Sequence, residues 1–231
     1  YGSLDELSGT LARRLPAAWE QKLGESALAQ FRLEHRFVDD SVAQPLLQPL
    51  TQPLLQALGE TRHPMKFHLV DDPAINAFAL PGGTMVINTG LILSAPRADA
   101  LQGVIAHEIA HVVEQHGVRS VIRSAGIFVV VQALVGDASG LLAVLANAGP
   151  MLINQAYSRD FEREADDKGY ALLRRAGVDP QGMADFFRLV LAEEKKQIEA
   201  ITDETSHELF AQSRHVLSTH PETEARIRAI E

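Results

Sequence analysis

Apolar and polar positions repeat with two different periods along the chain, and these periods predict helices interrupted by a few extended segments. Residues 3–38 predict helix, with Leu4, Leu7, Leu11 and Leu15 in a stripe at helical spacing. Residues 66–70 alternate between polar and apolar side chains, which is the two-residue period of a β-strand. Residues 75–80 and 84–88 predict two more extended segments, joined by a tight turn at the Pro-Gly-Gly of 81–83.

Three prolines complicate the helical pattern of residues 41–59. Pro45, Pro49 and Pro53 each follow a Gln, at intervals of four. An interior proline removes a helix hydrogen bond and clashes with the preceding turn. A spacing of four places the three rings on nearly one face, so the segment is either a strongly bent helix or irregular.

Residues 101–117 carry the strongest chemical pattern in the sequence. His107 and His111 lie about 40° apart around a helix, so both imidazoles can reach one metal ion. Two neutral imidazoles suit zinc and leave room for a third protein ligand and a water. Glu108 lies about 100° round from His107, where a general base acting on that water belongs. The opposite side of the helix predicts an apolar stripe, formed by Leu101, Ile105, Ile109 and Val112.

An acidic helix predicted at residues 158–177 offers the missing ligand. Glu162 and Asp166 are four apart and share one face, which Gly169 continues inward, whereas Glu164 points about 160° away from Asp166. This spacing selects Glu162 as the third zinc ligand. It also places Asp166 to accept a hydrogen bond from the second nitrogen of a ligand histidine. Without the histidines upstream, these carboxylates would be an ordinary solvated helix start.

A further histidine lies near the end of the helix predicted at residues 101–117, which we call the metal helix. His116 lies about 140° from His111 around that helix, on its apolar side. At that angle it cannot share the metal. We therefore expect a buried histidine, or one that supports a ligand histidine from behind.

The extended segment from Asn76 to Ala79 has two interpretations. A sheet edge beside the metal helix can pair with an extended substrate backbone, and Asn76, Ala77, Phe78 and Ala79 are the candidates for that edge. A plain hairpin packed on the core is the alternative.

Residues 125–155 form the most apolar stretch, with a single charge at Asp137. Glycines and a proline break it, so no uninterrupted run reaches the roughly 18 apolar residues of a membrane span. It is either a pair of core helices or a hydrophobic flap that contacts a membrane or an unfolded substrate.

Charge and composition exclude some functions. The chain has 231 residues and a net charge of −9, which argues against nucleic-acid binding because few phosphate counterions would be released. It has no cysteine, so zinc cannot be held by thiolates. The chain begins at Tyr1 without a secretion signal, and we expect that any signal peptide has been removed.

The motifs together resemble a known family. HEIAH, followed about 50 residues later by SRDFEREADDKG, resembles the HtpX-like gluzincin zinc metallopeptidases, a group that includes the CAAX prenyl proteases. NAFALPGG before HEIAH and STHP near the C-terminus resemble its soluble, periplasmic BepA/LoiP-like branch.

The resemblance implies an α+β fold, mostly helical, with a small antiparallel or mixed sheet beside the HExxH helix. It implies one zinc ion, with Glu162 as the third ligand. It also implies a single domain over residues 1–231, with a helical N-terminal region at 1–60 and a catalytic core at 61–231. The expected location is the bacterial periplasm or another extracytoplasmic space, with or without membrane association.

A histidine in the STHP turn is the last candidate. His220 lies on an extended turn before a proline, and the resemblance places this turn in the half of the domain that faces the zinc. Its imidazole would occupy the open fourth position of the metal, or stabilise the oxyanion of the reaction. The alternative is a helix-ending turn with the ring in solvent.

The motifs predict metal-assisted peptide hydrolysis, and the resemblance implies a zinc metalloendopeptidase that acts on misfolded or membrane-associated proteins in protein quality control. The alternative is a zinc-stabilised binding or chaperone-like module without turnover. Glu108 separates the two, because a purely structural zinc site does not need it. An integral membrane protease is disfavoured by the broken apolar run. The physiological substrate and the oligomeric state stay open.

Overall fold

The computed structural model describes residues 2–125, 148–149, 151–153, 157–201 and 223–230. Three helices come first, α1 (Gly2–Arg14), α2 (Ala17–Glu34) and α3 (Asp40–Leu58). Three strands follow, β1 (Lys66–Val70), β2 (Ala77–Leu80) and β3 (Thr84–Asn88). The later helices are α4 (Thr89–Ser94), α5 (Ala98–Val113), α6 (His116–Ala125), α7 (Arg159–Ala176), α8 (Gln181–Ile201) and α9 (Thr223–Ile230). The predicted α+β class, mostly helical with a small sheet, is confirmed.

The sheet is mixed, with strand order β1-β3-β2. Strand β1 runs parallel to β3, with Lys66 opposite Thr84, and β2 runs antiparallel to β3, with Leu80 opposite Thr84. All five residues of β3 are buried, as befits the central strand. The β2–β3 turn needs two consecutive positive φ angles, 82° at Gly82 and 90° at Gly83, which is why glycine occupies both positions.

The proline-rich segment is a helix, the first of the two conformations predicted for it. Pro45, Pro49 and Pro53 all lie inside α3. Each proline leaves the carbonyl four residues earlier without its helical donor, at residues 41, 45 and 49. All three residues are exposed, so water can donate hydrogen bonds to these carbonyls. The opposite face packs on the core through Ala43, Leu47 and Leu54.

Helix α5 lies at the centre of the fold. It packs against α3, α7, α8 and β2. The predicted apolar stripe is buried at Leu101, Ile105 and Ile109, but the histidine face is buried as well. The polar chemistry of this helix is therefore enclosed by protein rather than turned toward solvent.

Helix α7 approaches α5 closely, and Gly169 makes the approach possible. A Cβ atom at this position would lie 3.1 Å from the backbone nitrogen of His107 and 2.9 Å from Cε of Met183. The prediction that Gly169 continues the inner face of α7 is thus explained by the contact between the two helices that carry the candidate ligands.

Most of the apolar stretch at 125–155 lies outside the described residues, as does His220. Of the helices that the structure describes, none combines the length and apolar character that a membrane span requires.

Candidate metal centre

Two helices bring three ligand-type side chains to one point. His107 and His111 come from adjacent turns of α5, and Glu162 comes from the first turn of α7. Within the described residues they form the one group of at least three His, Asp or Glu side chains whose ligand atoms all lie within 4.8 Å of one another. All three side chains are buried.

The contact distances indicate how the three side chains face each other. His107 Nε2 and His111 Nε2 lie 3.0 Å apart. Glu162 places Oε2 3.5 Å from His107 Nε2 and Oε1 3.6 Å from His111 Nε2. Two imidazole nitrogens and a carboxylate that converge in this way match the nitrogen and oxygen donors that hold catalytic zinc. The residues therefore fit a metal ion of that class.

Glu108 is buried beside this cluster, with 2% of its surface exposed. It lines the same pocket as His107. It is not one of the three converging side chains. The structure thus keeps Glu108 separate from the ligand set, as the helical spacing predicted.

The second nitrogen of His107 contacts Asp166, at 2.9 Å between Nδ1 and Oδ1. Burial opposes protonation of His107, but hydrogen bonds to Asp166 and Glu162 outweigh it and raise the pKa of His107 to about 9. Burial likewise opposes ionisation of Asp166, yet hydrogen bonds from Arg226 and His107 lower its pKa. Asp166 therefore lies where a carboxylate orients a ligand histidine.

Arg226 is a site residue that the sequence analysis did not identify. Its guanidinium donates a hydrogen bond to each oxygen of Asp166, both at 2.7 Å. Its Nη1 atom forms an ion pair with Glu162 Oε2, also at 2.7 Å. Burial opposes its charge, but these carboxylates raise the pKa of Arg226. The sequence held one hint of such a cation, because Glu108, Glu162 and Asp166 carry more negative charge than one zinc ion balances.

On the other side, His111 contacts His116. The two Nδ1 atoms lie 2.9 Å apart, and His116 Nε2 lies 3.0 Å from Glu164 Oε2. Burial lowers the pKa of His116 to about 4, against the opposing effect of Glu164. The expectation of a buried histidine is correct. Its predicted position, 140° from His111 around one continuous helix, is wrong. Helix α5 ends at Val113, and His116 begins a new helix.

Aromatic rings enclose the cluster. Tyr157 stacks on His111 with 4.1 Å between ring centroids, and Phe187 packs edge-on against His107 at 6.2 Å. A pocket opens between β2, α5 and α8 next to His107 and Glu108. Its remaining lining is largely apolar and includes Ala77, Val104, Met183, Phe186 and Phe187.

The predicted substrate edge lies beside this pocket. Strand β2 contains Ala77, Phe78 and Ala79, and Asn76 comes directly before it. In the part of the chain that the structure describes, β2 pairs with β3 alone and is an edge of the sheet. Both Asn76 and Ala77 line the pocket.

Comparisons with known proteins agree with this architecture. A model of Peptidase family M48 matches residues 42–231. The putative beta-barrel assembly-enhancing protease of Vibrio cholerae serotype O1 is 33% identical over 176 residues, which cover 71% of this chain and 36% of that protein. The mitochondrial metalloendopeptidase OMA1 of Schizosaccharomyces pombe is 34% identical over 169 residues, covering 72% and 45%.

The Escherichia coli K12 metalloprotease LoiP is also similar, with 30% identity over 146 residues that cover 61% of this chain and 57% of LoiP. The chain spans about half the length of the curated relatives it matches, or less.

Proposed function

The chain belongs to peptidase family M48, and from this premise we propose that it is a zinc-dependent endopeptidase. The observation that carries the proposal is the buried convergence of His107, His111 and Glu162 beside the separate carboxylate of Glu108. A purely structural zinc site needs its ligands and the groups that orient them, but it does not need a general base such as Glu108. The chaperone-like alternative is for this reason less well supported.

In this proposal each residue has one task. His107, His111 and Glu162 would hold the zinc ion. A zinc ion held there would act as a Lewis acid toward the scissile carbonyl and would lower the pKa of the attacking water. Glu108 takes the proton from that water and later passes it to the leaving amine.

The substrate backbone would pair with the edge of β2 that faces away from β3, at Asn76, Ala77, Phe78 and Ala79. An extended peptide adds to a sheet edge through main-chain hydrogen bonds, and pockets receive alternate side chains. Support comes from the pocket between Ala77 and the metal helix, which is the space such a side chain would enter.

Asp166 would orient His107, and this role makes a graded prediction. Asp166→Asn should weaken zinc binding about 10- to 100-fold, which is the usual cost of losing a partner behind a ligand histidine. The loss should be smaller than for Glu162→Ala, because all three ligands remain. Competition with a zinc chelator measures both affinities. Unchanged affinity in Asp166→Asn would remove this residue from the site.

The biological role is proposed more broadly. Relatives are named a beta-barrel assembly-enhancing protease and a mitochondrial metalloendopeptidase. These names support protein substrates for this chain, and we propose misfolded or membrane-associated proteins in quality control. The bacterial periplasm or another extracytoplasmic space is the proposed location. Peripheral membrane contact through residues 125–155 stays a prediction.

The single-domain organisation is also a proposal, with a helical region at 1–60 and a catalytic core at 61–231. Helix α3 packs on α5 and α7, so the N-terminal region and the metal helix share one core. His220 stays a candidate fourth ligand or oxyanion donor and lies outside the described residues.

A digestion assay tests the proposed function. The purified chain should cleave casein, an unfolded protein, at internal peptide bonds. A strong chelator should stop the cleavage, and stoichiometric zinc should restore it, because the ligands reassemble around the ion. Casein left intact by zinc-loaded protein, or cleavage that survives metal removal, would refute the proposal.

A further inference from the structure

The turn that follows the metal helix has an unusual backbone. Helix α5 ends at Val113, and Gln115 takes a positive φ of 56°, a conformation that side-chain-bearing residues seldom adopt. The Gln115 amide holds the turn by donating to Glu20 Oε1 at 2.7 Å and to the Ala12 carbonyl at 3.2 Å. This turn carries His116 back against the ring of His111.

His116 is fully buried and has a polar contact at each ring nitrogen. Nδ1 lies 2.9 Å from His111 Nδ1, and Nε2 lies 3.0 Å from Glu164 Oε2. Arg119 Nη1 donates to the same carboxylate oxygen at 3.1 Å. The chain of contacts therefore runs from Arg119 through Glu164 and His116 to His111.

The direction of each hydrogen bond follows from the end of this chain. An ionised carboxylate only accepts, so His116 Nε2 must carry the hydrogen that faces Glu164. A neutral imidazole has one N–H, which leaves a lone pair on His116 Nδ1. That lone pair can only accept, so His111 Nδ1 must donate to it.

The same logic fixes the other nitrogen of His111. With its hydrogen on Nδ1, His111 has a lone pair on Nε2, the atom that lies 3.0 Å from His107 Nε2. This is the tautomer that can bind a metal ion at the candidate site. If His111 carried its hydrogen on Nε2, two lone pairs would face each other at Nδ1.

We propose that His116 and Glu164 are positioning residues that hold His111 in its metal-binding tautomer and orientation. The inference rests on the proposed function, since it assumes that His111 is a ligand. It gives His111 an imidazole and a carboxylate where His107 has the single carboxylate of Asp166. Metal-ligating histidines are usually supported in this way by a group on the second nitrogen.

Packing alone does not account for this arrangement. His116 stacks on Phe161, with 4.3 Å between centroids and 9° between planes. A phenylalanine would stack equally well and would bury no nitrogen. His116→Phe therefore keeps an aromatic ring that can stack on Phe161, although a larger one, and removes the acceptor of the His111 hydrogen bond.

The test compares His116→Phe with a matched change elsewhere. His35 also stacks on a phenylalanine, Phe31, at 3.7 Å and 9°, and directly follows α2, a helix that carries none of the candidate ligands. In the full chain, His116→Phe should weaken zinc binding about 10- to 100-fold. His35→Phe should leave it unchanged. Chelator competition gives the affinities, and circular dichroism compares the folds.

Glu164 provides a second pair of variants that does not disturb the buried ring. Glu164→Ala should weaken zinc binding, whereas Glu164→Gln should retain most of it, because one amide oxygen can accept from both His116 and Arg119. Asp160→Ala is the control, since Asp160 lies one turn earlier on α7 and is exposed. Rescue by glutamine would show that the acceptor matters rather than the helix.

A tautomer measurement separates positioning from packing. In metal-free protein, nitrogen NMR of His111 should show hydrogen on Nδ1 and none on Nε2, and His116→Phe should raise the fraction with hydrogen on Nε2. Zinc affinities of His116→Phe and Glu164→Ala equal to their controls, with the His111 tautomer unchanged, would overturn the inference. His111→Ala distinguishes the two levels: zinc retained in that variant would refute the ligand assignment itself.

Discussion

Glu108→Gln is expected to abolish measurable proteolysis while the zinc content and the fold stay unchanged. The amide has nearly the shape of the carboxylate, so the buried site is preserved, but it cannot accept a proton from water. A general base typically contributes 10²–10⁴-fold, and we expect a loss of about that size in casein cleavage. Glu108 is not one of the three converging side chains, so the ion should stay bound.

A matched control makes the same chemical change six residues later. Glu114 lies at the end of α5 and pairs with Lys168 at 3.3 Å. Glu114→Gln should digest casein at the rate of the unchanged protein. The proposed mechanism fails if Glu108→Gln does so too.

Glu162→Ala should lose most of the metal and, with it, the activity. The substitution removes the one anionic ligand and leaves two imidazoles, which are too few to hold zinc tightly. The zinc content measured by elemental analysis should fall from about one ion per chain to a small fraction of that value. Asp160→Ala removes a carboxylate from the same helix turn, where it is exposed, and should keep the ion.

Equal zinc content in these two variants would contradict the assignment of Glu162. Glu164→Ala is not a neutral control, although helix spacing alone would recommend it. The Glu164 carboxylate lies outside the ligand cluster but contacts His116, which contacts His111.

The candidate ligand set could be predicted because its geometry is local. His107 and His111 are separated by one turn of a single helix, and Glu162 and Asp166 by one turn of another. The periodicity of each helix therefore determines which side chains share a face. The one long-range step, that the two faces meet, followed from the need of zinc for a third ligand.

His116 and Arg226 illustrate what local periodicity cannot supply. The position of His116 depends on the turn at Gln115, which is held by Glu20 and Ala12 from the first two helices. Arg226 reaches Asp166 across 60 residues of sequence. No spacing rule links such distant positions, since their approach depends on how the helices pack.

The proline-rich helix shows a different limit. Each of Pro45, Pro49 and Pro53 counts against a helix when taken alone. The structure keeps the helix because the opposite face buries Ala43 and Leu47 in the main core. Tertiary packing thus decided between two conformations that the sequence left open.

Anomalous diffraction at the zinc edge, from crystals of the zinc-loaded full chain, tests the central claim most directly. We predict one peak at about 2.0–2.1 Å from Nε2 of both His107 and His111, and at about 2.0–2.2 Å from a carboxylate oxygen of Glu162. Glu108 should lie close to the peak without being bound to the ion. A peak bound by other residues, or no peak among these three side chains, would contradict the account.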